Sequence, residues 1–160
     1  HQKAIDQKGE QIKMNKKQGI SLKQIDYTGE MNEHQEYLRI LKRLEKSCEY
    51  IDYVLVNEDD TRLIERFSSL LISVNEKNKW WGTKSSGKSK VYRFKASKAL
   101  FDYLKQFETF CRYSVSRYGD YAQETDFGIN DIAFFDHDAI PLLFTTTHEG
   151  YIIIREDVLR

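Results

Sequence analysis

Cysteine, net charge and long apolar runs are all scarce in this chain of 160 residues. The two cysteines, Cys48 and Cys111, are too few for a disulfide-rich secreted scaffold and too far apart in sequence for a close-spaced metal-binding pair. Basic and acidic residues number 25 each, so the total charge gives no general attraction to nucleic acid or to an anionic membrane. No apolar run approaches the roughly 18 residues of a membrane-spanning helix. We therefore expect a soluble, cytoplasmic protein without a metal or a cofactor.

Hydrophobic residues make up 40% and aromatic residues 13% of the sequence, which is enough for one core of ordinary size. Residues 1–31 are rich in lysine and glutamine, and no single apolar period covers them. They predict a polar N-terminal arm that is partly disordered. Residues 32–160 are predicted to form a single α+β domain.

Two amphipathic helices are predicted at the start of this domain. The apolar residues from Tyr37 to Leu55 step by three and four positions, which predicts a helix of about 25 residues. After a polar turn at residues 57–60, the apolar residues from Leu63 to Val74 repeat this spacing. Because the turn is so short, the two helices are expected to pack as an antiparallel helical hairpin.

A basic β-hairpin and a third helix are predicted next. Val91 and its neighbours favour a strand, and the Ser/Gly-rich residues 85–87 are expected at the tip of the hairpin. Ser97 is expected to cap a third helix that ends near Gly119. Three apolar runs separated by turns then predict a C-terminal three-stranded antiparallel meander. These runs are residues 132–135, 142–144 and 151–154.

Residues 82–89 fit the pattern G-x-x-x-x-G-K-[ST] at every position, and residues 132–136 form an apolar stretch that ends in Asp136. On these two segments the chain resembles a P-loop ATPase, which implies a phosphate-binding loop between a buried strand and a helix N-terminus. The flanking sequence favours another structure, because polar residues precede Gly82 and strand-like residues follow Ser89. We therefore predict a flexible hairpin tip here rather than a nucleotide site.

Charge is divided unevenly along the chain. Residues 77–98 contain eight basic residues and no acidic one, whereas the segment from Tyr118 to the end is strongly acidic. As an alternative function, the basic hairpin is expected to bind nucleic acid, with cations on phosphates and aromatic rings stacked on unpaired bases. The residues predicted to do so are Trp80, Trp81, Lys84, Lys88, Lys90 and Arg93.

The four histidines raise a second alternative, a metal-assisted hydrolase or nuclease. His137 and His148 lie in turns at opposite ends of one predicted strand, so they cannot act as a pair. His148 and Glu149 lie instead near the predicted start of the first meander strand, close to Asp131. These three residues are the catalytic candidates if the protein is an enzyme.

Protein binding without catalysis is the function that we predict. Small size, segregated charge and the lack of a catalytic spacing motif are typical of a regulator or a bacterial immunity protein that neutralises its partner through a charged face. The acidic C-terminal side suits a basic protein partner. Asp136, Asp138 and Glu149 are the predicted contact residues.

Overall fold

The chain folds around one large antiparallel β-sheet. The structure is a computed structural model that describes residues 22–116, 119–123 and 127–160, with side chains described outside residues 113–126. The strands in these residues are β1 (Gln24–Asp26), β2 (Tyr50–Leu55), β3 (Leu71–Trp80), β4 (Thr83–Lys95), β5 (Arg112–Ser116), β6 (Gly119–Gln123), β7 (Asp131–Phe135), β8 (Pro141–Thr146) and β9 (Tyr151–Arg155). Seven of them form the sheet in the order β1-β9-β8-β7-β2-β4-β3, and every neighbouring pair is antiparallel. Strands β5 and β6 pair only with each other.

Three α-helices are present in the described residues: α1 (His34–Ser47), α2 (Arg62–Arg66) and α3 (Lys98–Leu104). The stripe of α1 is fully buried at Tyr37, Ile40, Leu41 and Leu44, which follow one another at helical spacing. This stripe belongs to the main core together with alternate residues of the central strands, which are Ile51, Tyr53, Phe94, Ile132, Phe134, Leu143 and Ile152. The main core therefore lies between one face of the sheet and the helices.

The predicted helical hairpin is wrong, because its two halves are largely strands. Helix α1 ends at Ser47, and residues 50–55 form β2, which is paired on both sides with β4 and β7. Ile51 and Leu55 are four residues apart, a spacing that fits a helical stripe and equally the same face of a strand. The aromatic and β-branched residues between them favour the strand, and two ladders of backbone hydrogen bonds stabilise it.

The second predicted helix is reduced to the five residues of α2, and its remainder from Leu71 onward is β3. The third helix does begin after Ser97, whose side chain accepts a hydrogen bond from the Leu100 N–H at 3.2 Å, but it ends at Leu104 rather than near Gly119. Its expected continuation contains β5 and the first residue of β6.

The basic hairpin is longer than expected and turns at another place. Strands β3 and β4 pair as far as Trp80 opposite Thr83, so the turn is Trp81-Gly82 and residues 85–87 lie within β4. Residues 82–89 therefore contribute to a turn and a strand, and β4 continues beyond them to Lys95 before α3 begins. The separate three-stranded meander is also wrong, since β7, β8 and β9 are part of the seven-stranded sheet.

Part of the predicted polar arm belongs to the sheet. Residues 24–26 form the edge strand β1, which pairs with β9, and Leu22 is only 1% exposed. Residues 1–21 lie outside the described residues.

Candidate functional site

A cavity of about 480 Å³ lies on the face of the sheet opposite the helices, beneath the hairpin of β3 and β4. This face has its own small apolar cluster, formed by Ala133, Phe135, Phe144 and Ile153. These residues alternate along the strands with those of the main core, as the pleat of a sheet requires. The cavity is of the size at which small-molecule sites are found, about 300–1,000 Å³.

The hairpin reaches the cavity because it bends across the sheet. Its ladder is irregular between Lys77, which pairs with Ser89, and Lys79, which pairs with Lys84, so the extra residues 85–88 of β4 form a bulge. Such bulges bend a strand and increase its local twist. Its turn lies against β8, so closely that a Cβ atom on Gly82 would lie 2.6 Å from Thr146 Oγ1 and 2.9 Å from Phe144 Cε2. Gly82 also has a φ of +79°, which L side chains rarely adopt. Glycine is therefore required here for two separate reasons.

One hydrogen bond fixes the tip of the hairpin to the sheet. Trp80 Nε1 donates to Asp131 Oδ2 at 2.8 Å, and the backbone N–H of Thr147 donates to the other oxygen, Oδ1, at 2.7 Å. Asp131 as a whole is only 1% exposed. Burial raises its pKa, although these two hydrogen bonds act in the opposite direction.

A guanidinium group forms the cationic part of the cavity. Arg93 donates through Nε and Nη2 to the two oxygens of Asp52, at 2.8 and 3.0 Å. Its Cζ lies 4.0 Å from the centre of the Tyr50 ring, which in turn stacks on Phe135 at 4.8 Å. The ion pair leaves Nη1 unused, and the Arg93 side chain remains 34% exposed. Arg93 is thus held in a fixed orientation with part of its surface available to a ligand.

The hairpin supplies the opposite wall. Trp81 packs on Phe144 with ring centres 5.9 Å apart, and Lys77 and Lys79 complete the lining on this side. Both lysines are exposed, and neither forms an ion pair with a described residue. The cavity consequently combines aromatic walls with more positive than negative side chains.

The acidic residues predicted to contact a partner do not form one surface. Asp136 is 5% exposed and holds its own turn, because Oδ1 accepts from the N–H groups of Asp138 and Ile140 at 2.9 and 3.0 Å, while Arg155 Nη1 donates to Oδ2 at 2.7 Å. Asp138 and Glu149 are exposed, but they lie in the turns before and after β8. These turns are about 20 Å apart along the strand.

The structure places Asp131 next to the turn that contains His148 and Glu149. His148 Nε2 lies 3.5 Å from Glu149 Oε1, and both side chains are exposed. Asp131 faces the cavity instead, with both oxygens already bonded. Among the described residues, no three His, Cys, Asp or Glu side chains are placed to hold a metal ion.

The residues predicted to bind nucleic acid separate into two groups. Trp80, Trp81 and Arg93 line the cavity, whereas Lys84, Lys88 and Lys90 are exposed elsewhere along β4.

Sequence reasoning missed Tyr50, Asp52, Phe135 and Phe144 as site residues. The missed signal is the alternation in β2, where Tyr50, Asp52 and Val54 face the cavity and the residues between them face the main core. A helical interpretation of this segment hides that alternation.

No protein-family model, curated protein or solved structure matches this chain. Within the part of the chain that the structure describes, no helix is long and apolar enough to cross a membrane.

Proposed function

We propose that this protein acts by binding, and that the cavity beneath the hairpin holds its ligand. The observation that carries this proposal is the bond between Trp80 and Asp131, which fixes the hairpin above the sheet and so forms the cavity before a ligand arrives. A preformed site avoids the entropic cost of ordering a loop on binding. The aromatic walls and the oriented Arg93 provide apolar contact and a few placed polar groups, as ligand sites usually do.

Filling the cavity tests this proposal. Ala133 is 9% exposed and lines the cavity, so Ala133→Phe places a ring inside it. The matched control is Ala99→Phe, because Ala99 is exposed on α3. In a thermal-shift screen of a small-molecule library, we expect to find compounds that raise the melting temperature of the wild type and of the control but not that of Ala133→Phe.

Two results would contradict the proposal. One is that no compound stabilises the wild type, and the other is that compounds stabilise Ala133→Phe equally well. If Ala133→Phe does not fold, Val54→Phe provides a second block from the neighbouring strand, since Val54 also lines the cavity.

A second candidate function is protein binding along the free edge of the sheet. Strand β3 is outermost, and its residues Leu71, Ile72 and Val74 are 37%, 58% and 44% exposed. They are the exposed large hydrophobic side chains of the described residues. An exposed edge strand with apolar side chains can pair with a strand of another protein.

We propose a cytoplasmic location for this function, because Cys48 and Cys111 are both free thiols.

Affinity capture from a lysate of the host, with and without nuclease, tests the second candidate. A protein that is recovered by the wild type and by Ala99→Lys, but lost with Ile72→Lys, supports the edge strand as the contact. Equal recovery by Ile72→Lys contradicts it. Recovery of nucleic acid that disappears after nuclease treatment also contradicts it and supports nucleic-acid binding by the basic hairpin.

A further inference from the structure

The charge and shape of the cavity restrict the ligands that fit it. Its lining includes three cations, Lys77, Lys79 and Arg93, and two carboxylates, Asp52 and Asp131. The two carboxylates are already satisfied, because Asp52 holds Arg93 and Asp131 accepts from Trp80 and from the Thr147 backbone. The two lysines have no such partner among the described residues, so the unbalanced charge in the cavity is positive.

A cationic guest is disfavoured for the same reason. Aromatic cages that bind ammonium groups offer open ring faces to the cation. Here the Tyr50 ring is already occupied by Arg93, whose Cζ lies 4.0 Å from the ring centre. A second cation would also meet Lys77 and Lys79 without a free carboxylate to offset them.

The arrangement of aromatic side chains favours a flat guest. Tyr50 stacks on Phe135 at 4.8 Å, and Trp81 of the hairpin packs on Phe144 of the sheet, so these planar side chains form one cluster beside the cavity. The planar guanidinium of Arg93 lies between an aromatic ring and the open cavity, and such groups stack on flat ring systems. Its unused Nη1 can donate to an anionic oxygen, as a charge-assisted hydrogen bond.

From this arrangement we propose that the ligand is a small planar aromatic compound that carries a carboxylate or a phosphate. The ring stacks on the open face of the Arg93 guanidinium beside the Trp81 indole, and the anionic group contacts Arg93 Nη1 and the ammonium groups of Lys77 and Lys79. This inference rests on the proposed ligand-binding function of the cavity and adds the chemical class of the ligand.

A set of naphthalene probes tests the class by isothermal titration calorimetry. The planar anions are 2-naphthoate and 2-naphthyl phosphate, and the planar neutral and cationic probes are 2-naphthamide and 2-naphthylmethylammonium. Cyclohexanecarboxylate is the anion without an aromatic ring. We expect at least one planar anion to bind about tenfold more tightly than each of the other three probes, because a hydrogen bond to a charged group is lost in the neutral probe. The stronger of the two planar anions identifies which anionic group the natural ligand carries.

A matched pair of double variants locates the anionic group. Lys77→Gln with Lys79→Gln should weaken binding of the planar anion about tenfold, because both cations line the cavity. Lys84→Gln with Lys88→Gln removes the same charge from exposed residues of the same hairpin outside the lining, and should change binding less than twofold. All four lysines are exposed, so neither double variant removes a buried contact.

The failures can be told apart. If the neutral or cationic probe binds as tightly as the anions, the ligand class is wrong while binding in the cavity stands. If the two double variants weaken binding equally, the attraction is general and the placement of the anion is wrong. If no probe binds, the ligand class is wrong, and the library screen with Ala133→Phe decides separately whether the cavity binds anything.

Discussion

The indole Nε1 of Trp80 donates a 2.8 Å hydrogen bond to a carboxylate oxygen of Asp131, although their strands are separated by two others in the sheet. Trp80 ends β3 and Asp131 begins β7. Only a hairpin that bends back over the sheet can bring these residues together. The bond therefore defines the cavity, and it makes the stability of the hairpin depend on a buried carboxyl group.

Trp80→Phe should destabilise the protein, because it leaves one oxygen of the buried Asp131 carboxyl without a donor. An unsatisfied buried acceptor costs about 1–3 kcal/mol. Trp81→Phe is the matched control, since the Trp81 indole makes no hydrogen bond with a described residue and a Phe ring keeps the contact with Phe144. Urea unfolding measures both variants. Equal losses of unfolding free energy would show that the hydrogen bond does not hold the hairpin.

Two carboxyl groups should give opposite pH dependences of stability. Burial raises the pKa of Asp131, so the folded state keeps this proton longer than the unfolded state, and stability should fall as pH rises from 3.8 to the raised pKa. The Arg39 guanidinium lowers the pKa of Glu36 to about 2, with a further hydrogen bond from Tyr27. The stabilising contribution of Glu36 is therefore complete above pH 4.5 and is lost as the pH falls toward about 2.

Urea midpoints measured across this pH range for the wild type, Asp131→Asn and Glu36→Gln separate the two contributions. Asp131→Asn should remove the fall in stability as pH rises above 3.8. Glu36→Gln should reduce the loss of stability as pH falls below 4.5. Profiles parallel to that of the wild type would contradict both assignments.

Asp136→Ala should be strongly destabilising, because it leaves Arg155 buried with only one of its two carboxylate partners and frees two turn N–H groups. Breaking a buried ion pair costs about 3 kcal/mol. Asp59→Ala is the control, since Asp59 is exposed, and it should change stability by less than about 0.5 kcal/mol. Similar unfolding free energies for the two variants would contradict the structural role assigned to Asp136.

The two thiols should be unreactive in the folded protein. Burial raises the pKa of Cys48 and that of Cys111 to about 12, which leaves almost no thiolate at pH 8. Reaction with a disulfide reagent should be at least about a hundredfold slower in buffer than in concentrated urea. A thiol that reacts equally fast under both conditions would be inconsistent with the packing described for it.

Local signals in the sequence predicted some elements and misled for others. Ser97 marks the start of α3 because a capping side chain acts on its own helix. The spacing of Leu55 and Val74 from their apolar neighbours predicts helices, but the same spacing also fits strands. Only pairing with other strands decides between the two. The number and order of the strands in the sheet depend on such long-range pairing, so they could not be predicted from local periodicity.

The candidate site was even less accessible to sequence reasoning. The sequence predicts Trp80, Trp81 and Arg93 as aromatic and basic binding residues, but their convergence with Asp52 depends on the bend of the hairpin. That bend is set by the turn at Gly82 and by a bulge at residues 85–88, whereas the Ser/Gly-rich residues 85–87 predict the turn itself at this position. The charge of Asp136 predicts a surface contact, but Asp136 is buried and paired with Arg155, which is distant in sequence.

The most direct measurement of the central claim is an ¹H–¹⁵N NMR titration of the protein with 2-naphthoate. The two tryptophans give separate indole signals, and both residues line the cavity. We predict shifts of the Trp81 indole and of the backbone amides around Arg93 and Ala133, while the amides of α1, on the other face of the sheet, remain unchanged. Shifts that cluster around His148 and Glu149, or on the helices, would place the binding site elsewhere and contradict the account.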